Sequence, residues 1–240
     1  MAGHSKWNNI KRKKGKEDAK RAQVFTKLGR YISVAAKEGG PDPEFNPALQ
    51  AAIDKAKAEN MPNDNIERAI KRGSGGLDGQ DFKEVVYEGY GPGGIAVIVN
   101  CLTDNRNRTA ANIRHYFDKY NGNLGQAGSV TFMFDRKGIL GIEKTDDIDE
   151  DELMMQAIEL GAEDIESSDF GFEIKTDPME FNNVKKGLEE AGYSFVIAEL
   201  SMIPQNMTEL TDEKDIKNME NLIDTIEEDD DVQEVYHNWD

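Results

Sequence analysis

The chain has 240 residues, 38% of them apolar, and a formal net charge of −18. That length exceeds one ordinary domain and points to two or three small ones. No apolar run approaches the roughly 20 residues that span a bilayer, which excludes a membrane protein, and the single Cys101 excludes an internal disulfide framework and fits a reducing compartment.

The charge is segregated along the chain. Residues 1–30 carry ten Lys and Arg against two acids, Glu17 and Asp18; residues 1–78 are net +6 and residues 79–240 net −24. A chain polarised in this way presents a cationic part to phosphate while its acidic bulk repels other polyanions.

Residues 1–15 show no apolar periodicity. Trp7 and Ile10 are their only large apolar residues, and Lys11-Arg12-Lys13-Lys14-Gly15-Lys16 follows. This reads as an extended arm that orders when its charge is neutralised. It has no apolar stretch of the kind a secretory signal carries. A helix is predicted from Glu17 to Lys37, because Phe25, Leu28, Ile32 and Ala35 recur at helical spacing and Gly39-Gly40 stops it. At 100° per residue, Lys16, Lys20, Lys27, Arg30 and Lys37 fall away from that stripe, while Arg21 projects near it. Asn46-Pro47 opens a second helix with Leu49, Ala52, Ile53 and Ala56 inward. After Asn60-Met61-Pro62 a third helix is predicted, with Asp64 and Glu67 as a capping box and Gly73 as a left-handed cap. Gly73-Ser74-Gly75-Gly76 then reads as a hinge.

Beyond the hinge the apolar period becomes two. Strands are predicted at Val85–Tyr90 and Ile95–Leu102 around a Gly91-Pro92-Gly93-Gly94 turn, followed by a helix from Asn105 to Tyr120. Gly122–Gly128 reads as a loop. Two further strands, Val130–Phe134 and Ile139–Ile142, are expected to flank a turn at Asp135–Gly138. The next elements are a helix over 149–160, strands over 164–167 and 170–175, a helix over 178–190 and a strand over 193–202. With the strand at 139–142 they follow the βαββαβ order of a ferredoxin-like fold. A last helix, 213–227, and a strand, 232–236, cannot form a domain alone. The fold class is therefore α+β in three domains. Residues 1–76 form a basic arm and helical bundle, residues 77–130 with 205–240 a central α/β domain, and residues 131–204 an inserted ferredoxin-like domain.

The basic arm carries the clearest chemistry. Lysine and arginine neutralise phosphates and release counterions, a source of affinity that does not depend on base sequence. Trp7 is the candidate base-stacking residue, whereas Phe25 fits the apolar stripe. A second candidate is Asp104-Asn105-Arg106-Asn107-Arg108-Thr109, which opens a helix after a buried strand. It reads equally as an anion site and as a capped loop whose arginines pair with local carboxylates. Arg114 and His115 lie on the same helix. Gly91-Pro92-Gly93-Gly94 lacks the Gly-Lys-Ser/Thr ending of a phosphate loop. His4, His115 and His237 have no zinc-site spacing, and no Ser/His/Asp set assembles, so the chain is not read as an enzyme. Asp229-Asp230-Asp231 reads as a solvated turn with at most weak affinity for a divalent ion.

The segments MAGHSKWNNIKRKKGKEDAKRAQVFTKLGR, NMPNDNIERAIKRGSGG, YEGYGPGGIAVIV, DNRNRT, GSVTFMFDRKG and DVQEVYHN resemble the YebC/PmpR family. The family comprises proteins described as probable transcriptional regulators, with a mitochondrial translational activator as a relative. The resemblance implies three domains, the last inserted in the middle one, a cytoplasmic location, and no cofactor. It implies a nucleic-acid partner: DNA at promoters, or ribosomal RNA or tRNA on the ribosome. Membranes and small-molecule substrates are not implied. Carried over, it marks Lys6, Trp7, Lys11, Lys13, Lys14, Lys16, Lys20, Arg21, Lys27, Arg106 and Arg108 as contacts, and Arg12 joins them from within the same basic run. Many relatives carry arginines after the Asn-Pro that opens the second helix, where Ala48 and Gln50 stand in this chain.

Two roles follow, a DNA-binding transcriptional regulator and a translation factor docking the same basic segment on ribosomal RNA. A third reading makes the acidic α/β domains a protein-interaction module that mimics nucleic acid.

Overall fold

A computed structural model of the chain describes residues 17–75 and 82–240, with side chains from residue 23 onward. Helix α1 runs over Glu17–Gly39, α2 over Pro47–Ala58 and α3 over Asn63–Ser74. Their apolar faces close one core, in which Ile32, Leu49 and Ala56 have no exposed surface and Leu28, Ile53, Met61, Ile66 and Ala69 are buried around them. Asn46 locks two helices together. Its Oδ1 accepts the Leu49 N–H at 3.1 Å at the start of α2, and its Nδ2 donates to the carbonyls of Ala35 (2.7 Å) and Gly40 (2.8 Å) at the end of α1.

The third helix departs from the sequence reading at both ends. Pro62, not Asp64, is its N-cap, and no side chain caps it. Gly73 lies within α3 rather than after it. A Cβ at Gly73 would sit 2.1 Å from the Ser33 carbonyl oxygen, so this glycine is where α3 meets the backbone of α1. Ser33 reinforces the crossing by donating to the Gly29 and Ala69 carbonyls, both at 2.8 Å. Of the expected hinge, Gly76 lies outside the described residues.

The central sheet has the order β3-β1-β2-β8, all antiparallel: β1 is Lys83–Tyr90, β2 Ala96–Thr103, β3 Asn123–Leu124 and β8 Val232–His237. Helices α4 (Arg106–Lys119) and α7 (Glu213–Glu227) cover one face. There Val97, Val99 and Cys101 of β2 pack with Ile113 and Phe117 of α4 and Met219, Leu222, Ile223 and Ile226 of α7. Burial and the carboxylates of Asp229 and Asp231 push the Cys101 thiol up to about 12, so it stays protonated and acts as a small apolar residue. The Gly-rich loop after β3 is tied down by Glu88, only 6% exposed, whose carboxylate accepts the N–H groups of Gly128 (2.7 Å), Val130 (2.9 Å) and Thr131 (2.8 Å). Burial alone would raise its pKa; those three amides outweigh it and hold the carboxyl below its usual range.

Residues 132–207 form a separate compact unit. It contains β4 (Phe134–Glu143), α5 (Glu150–Glu159), β5 (Ala162–Ser167), β6 (Gly171–Thr176), α6 (Phe181–Glu190) and β7 (Ile197–Pro204), with the sheet order β5-β6-β4-β7 of a ferredoxin-like fold. Leu140, Ile142, Leu153, Phe172, Ile174, Val184 and Leu188 fill its core. The expected turn at Asp135–Gly138 does not exist. One strand, β4, runs through it, preceded by a 3-10 turn at Thr131–Met133. Residues 134–137 pair only with β7, and β6 joins at Gly138. Asp135 and Arg136 therefore lie exposed on a strand with a neighbour on one side only, which explains their polarity. Gly138 admits Phe181, since a Cβ there would lie 2.5 Å from that ring.

The helical bundle and the central sheet belong to one unit because of the turn between α7 and β8. Asp231, 3% exposed, lies at its end. Its Oδ1 accepts Arg30 Nη1 at 2.9 Å. Its Oδ2 accepts Arg108 Nη2 (2.7 Å), Thr109 Oγ1 (2.8 Å) and Thr103 Oγ1 (3.2 Å). From α1, Arg30 Nη1 also donates to the Asp230 carbonyl (2.8 Å), Lys27 Nζ to the Glu227 carbonyl (2.6 Å), and Gln23 Nε2 to the Glu228 carbonyl. Arg30 also lies 5.2 Å from the centre of the Phe82 ring. Lys55 of α2 adds an ion pair to Glu234 at 2.8 Å. Lys27, Arg30 and the Gln23 amide thus donate to the C-terminal end of α7 and the turn after it, where unpaired carbonyls and the helix dipole favour positive charge, while Lys55 pairs with β8.

Two measurements test this architecture. Gly73→Ala, which forces a methyl group into the α1 backbone, lowers unfolding stability by about 1–3 kcal/mol in denaturant melts; a neutral result would mean that α1 and α3 are not in backbone contact. Asp231→Asn leaves two arginines without their carboxylate and costs about 2 kcal/mol, below the range for fully buried pairs because Arg108 is half-exposed. Desolvation raises the Asp231 pKa, but the hydrogen bonds from Arg108, Thr109 and Arg30 prevail and lower it. A lowered carboxyl stabilises the fold above the ordinary carboxylate range and loses that contribution as pH falls through the folded value. The wild-type chain therefore loses stability on acidification below about pH 4, and Asp231→Asn shows a shallower acid limb.

Candidate nucleic-acid interface

The contact residues nominated by sequence fall into three groups. Lys6, Trp7, Lys11, Arg12, Lys13, Lys14 and Lys16 lie outside the described residues. Lys20 and Arg21 lie in the first turns of α1. Lys27, Arg106 and Arg108 are described with their side chains, and two of these three are engaged within the chain.

Helical spacing placed Lys27 and Arg30 on an outward face for phosphate. That face of α1 is where the α7–β8 turn sits. Lys27 is bound to the Glu227 carbonyl and Arg30 to Asp230 and Asp231. The reason is geometric: a helix in contact with a second body on its polar side puts its cations between the two. Lys37, in the last turn of α1, is exposed.

The 104–109 segment was open between an anion site and a capped loop. Asn105 caps α4, its Oδ1 accepting the Arg108 N–H at 3.0 Å. Arg108 pairs with Asp104 at 2.8 Å and Asp231 at 2.7 Å, so its share of the segment is the capped-loop arrangement. Those two carboxylates raise the Arg108 pKa, fixing its charge in place. Arg106 is exposed and forms no ion pair among the described residues; its carbonyl accepts the Tyr87 hydroxyl at 3.1 Å. With Lys83, Thr103, Asp104, Asn105 and Asn107 it lines an open cavity of about 410 Å³.

The acidic triplet also differs from its sequence reading. It is a turn, but only Asp230 is left to solvent. Asp229 Oδ2 accepts Tyr116 Oη (2.9 Å) and Asn112 Nδ2 (3.3 Å), and its Oδ1 accepts the Asp231 N–H (2.9 Å). Burial and the Asp229 contact push the Tyr116 hydroxyl up to about 12. These carboxylates are committed to protein donors, and the described residues hold no cluster able to chelate a metal. Sequence reasoning did not find this role for Asp229 and Asp231. Its only trace was three carboxylates at a helix C-terminus, where the dipole disfavours them unless cations arrive from elsewhere.

Residues 23–75 carry eight Lys and Arg against seven acids, so the described bundle is nearly neutral. Residues 1–22 carry eight against two. No described helix is long and apolar enough to cross a membrane.

Known proteins place the chain. Residues 5–76 match the model of the TACO1/YebC protein N-terminal domain, and residues 82–239 that of the TACO1/YebC second and third domain. A protein of Acetivibrio thermocellus named "Probable transcriptional regulatory protein" is 59% identical, covering 100% of this chain and 99% of that one. One of the same name in Finegoldia magna is 56% identical, with 100% and 99% covered. The crystal structure of conserved hypothetical protein Aq1575 from Aquifex aeolicus superposes with a TM-score of 0.83 at 46% identity, covering 94% of this chain and 93% of that one. Both domain models, near-complete relatives and a shared three-domain architecture lead to one assignment: the chain belongs to the TACO1/YebC family.

Proposed function

We propose that this chain is a cytoplasmic nucleic-acid-binding regulator of gene expression, and not an enzyme, that grips phosphate through residues 1–22. The observation that carries this reading is the concentration of positive charge in the sequence of that segment, eight cations against two acids, in a chain of net charge −18. The names of the relatives favour DNA as the target and transcription as the process. Lys6, Lys11, Arg12, Lys13, Lys14, Lys16, Lys20 and Arg21 are the phosphate contacts and Trp7 a stacking residue. Arg106, exposed at the start of α4, is a further contact, whereas Lys27 and Arg108 serve the fold.

A second reading, RNA on the ribosome, is favoured by one feature of the same segment. Six of its eight cations are lysines. Lysine acts as a point charge on phosphate, while reading base edges in the major groove relies on the bidentate geometry of arginine, asparagine or glutamine. A lysine-rich grip suits a partner recognised by backbone and shape.

Binding to duplex DNA and to ribosomes at matched salt separates the two. With about five phosphates neutralised, log K falls against log salt with a slope near −4.5 for a duplex. A flat response on both targets rejects the phosphate grip. Tight, salt-resistant, sequence-selective duplex binding excludes the ribosome as the main target. Reversing Lys11, Lys13 and Lys14 to Glu abolishes binding without shifting the melting temperature. Lys27→Met does the opposite, lowering the melting temperature while changing phosphate affinity by less than about twofold, as expected for a cation whose donors are spent on a helix end. Equal affinity losses in both variants would return Lys27 to the interface.

A further inference from the structure

The ferredoxin-like unit contains a cavity that phosphate binding does not use. It has a volume of about 540 Å³, within the range of ligand-binding pockets. It opens where β4 ends, between the β4–α5 loop, one side of α5 and the segment that leads from α6 into β7. Its wall is chemically one-sided. Ile142, Ile148, Tyr193, Phe195 and Val196 give apolar and aromatic surface, and Glu143, Asp147 and Glu152 give carboxylates. No lysine, arginine or histidine lines it.

Gln156 is the informative residue. Its Nε2 donates to Glu152 Oε1 at 3.0 Å, which fixes the amide orientation. Its Oε1 is then buried against the cavity wall with no hydrogen-bond partner among the described residues. A buried carbonyl oxygen favours a hydrogen-bond donor beside it. A group entering the cavity is therefore favoured if it donates hydrogen bonds. The carboxylates require it to be positive, and the Tyr193 and Phe195 rings suit a cation with an aliphatic stem. Burial, with the nearby carboxylates of Glu152 and Asp149, raises the Tyr193 pKa.

The rim indicates how such a cation arrives. Val196 lines the mouth at 51% exposure, and Met155, on the neighbouring row of α5, is 64% exposed. Large apolar side chains beside a cation-seeking cavity suit a polypeptide, which supplies apolar neighbours to its basic residue, better than a free polyamine. The surroundings agree: residues 132–207 hold nineteen Asp and Glu against six Lys and Arg, net −13.

We infer that this cavity receives a lysine or arginine side chain from a basic segment of a partner protein, seated between Tyr193 and Phe195 with its head group on Glu152, Asp147 and the Gln156 carbonyl oxygen. The ferredoxin-like unit is then a protein-docking module, independent of residues 1–22.

Calorimetric titration of the full chain with the peptide acetyl-Leu-Arg-Leu-Arg-Leu-amide tests this. Binding is expected at micromolar to submillimolar peptide, weakened about tenfold by Glu152→Gln, which preserves the shape and the bond to Gln156. Glu190→Gln, a surface control on α6, changes it by less than twofold. Spermine at equal charge binds at least tenfold more weakly. The charge-reversed Lys11, Lys13 and Lys14 variant binds the peptide as the wild type does, so failure of the phosphate grip and failure of this site are separable. No binding at 1 mM peptide, equal losses in Glu152→Gln and Glu190→Gln, or spermine as tight as the peptide would each overturn the proposal.

Discussion

A carboxylate taken out of water must be given donors, and Asp231 receives them from four side chains on three separate elements. Arg30 comes from α1, Thr103 from the end of β2, and Arg108 and Thr109 from the first turn of α4. None of these elements is near Asp231 in sequence. The pairing therefore selects one arrangement of bundle and sheet. An apolar contact of similar area would stabilise without fixing register so narrowly, since charge and hydrogen-bond geometry must both be met. The Leu102 N–H adds a 2.7 Å bond to the Asp231 carbonyl, so the same residue also starts the pairing of β8 with β2.

This constraint divides the cations of the amino-terminal region by function. Lys27 and Arg30 in α1 face a helix end rich in carbonyls and acids and are spent on the fold, whereas Lys37 in the last turn is exposed. Those before Lys27 belong to a stretch with few acids.

The sequence revealed most of what depends on local pattern. The three helices of the bundle, both α/β layers and the ferredoxin-like order followed from periodicity, Gly stops and Asn caps, because those signals are short-range. Two elements escaped for identifiable reasons. Residues 135–138 looked like a turn, since a strand with a neighbour on only one side can be as polar as a loop. Gly73 looked like a cap, since a glycine admitting a neighbouring backbone is indistinguishable in sequence from one adopting positive φ. The inward turn of Lys27, Arg30 and Arg108 was hidden more deeply. Arg30 and Asp231 are 201 residues apart, and helical spacing reports which side of a helix is polar, not whether a second body covers it.

The same limitation bears on the acidic half. Summed charge makes residues 132–207 look like a uniformly solvated, repulsive surface, which is the usual meaning of so many carboxylates. Position changes that meaning. Most of the acids lie on helix faces and loops where water serves them, and Lys185 and Lys186 pair with Glu189 and Glu190 one turn on. Glu152 instead shares a concave site with two aromatic rings and a buried amide oxygen that lacks a donor. Charge and ring contact together favour a cation with an aliphatic stem there. An electrically polarised chain can in this way hold two partners of opposite sign, a polyanion at its amino terminus and a basic polypeptide on the inserted unit.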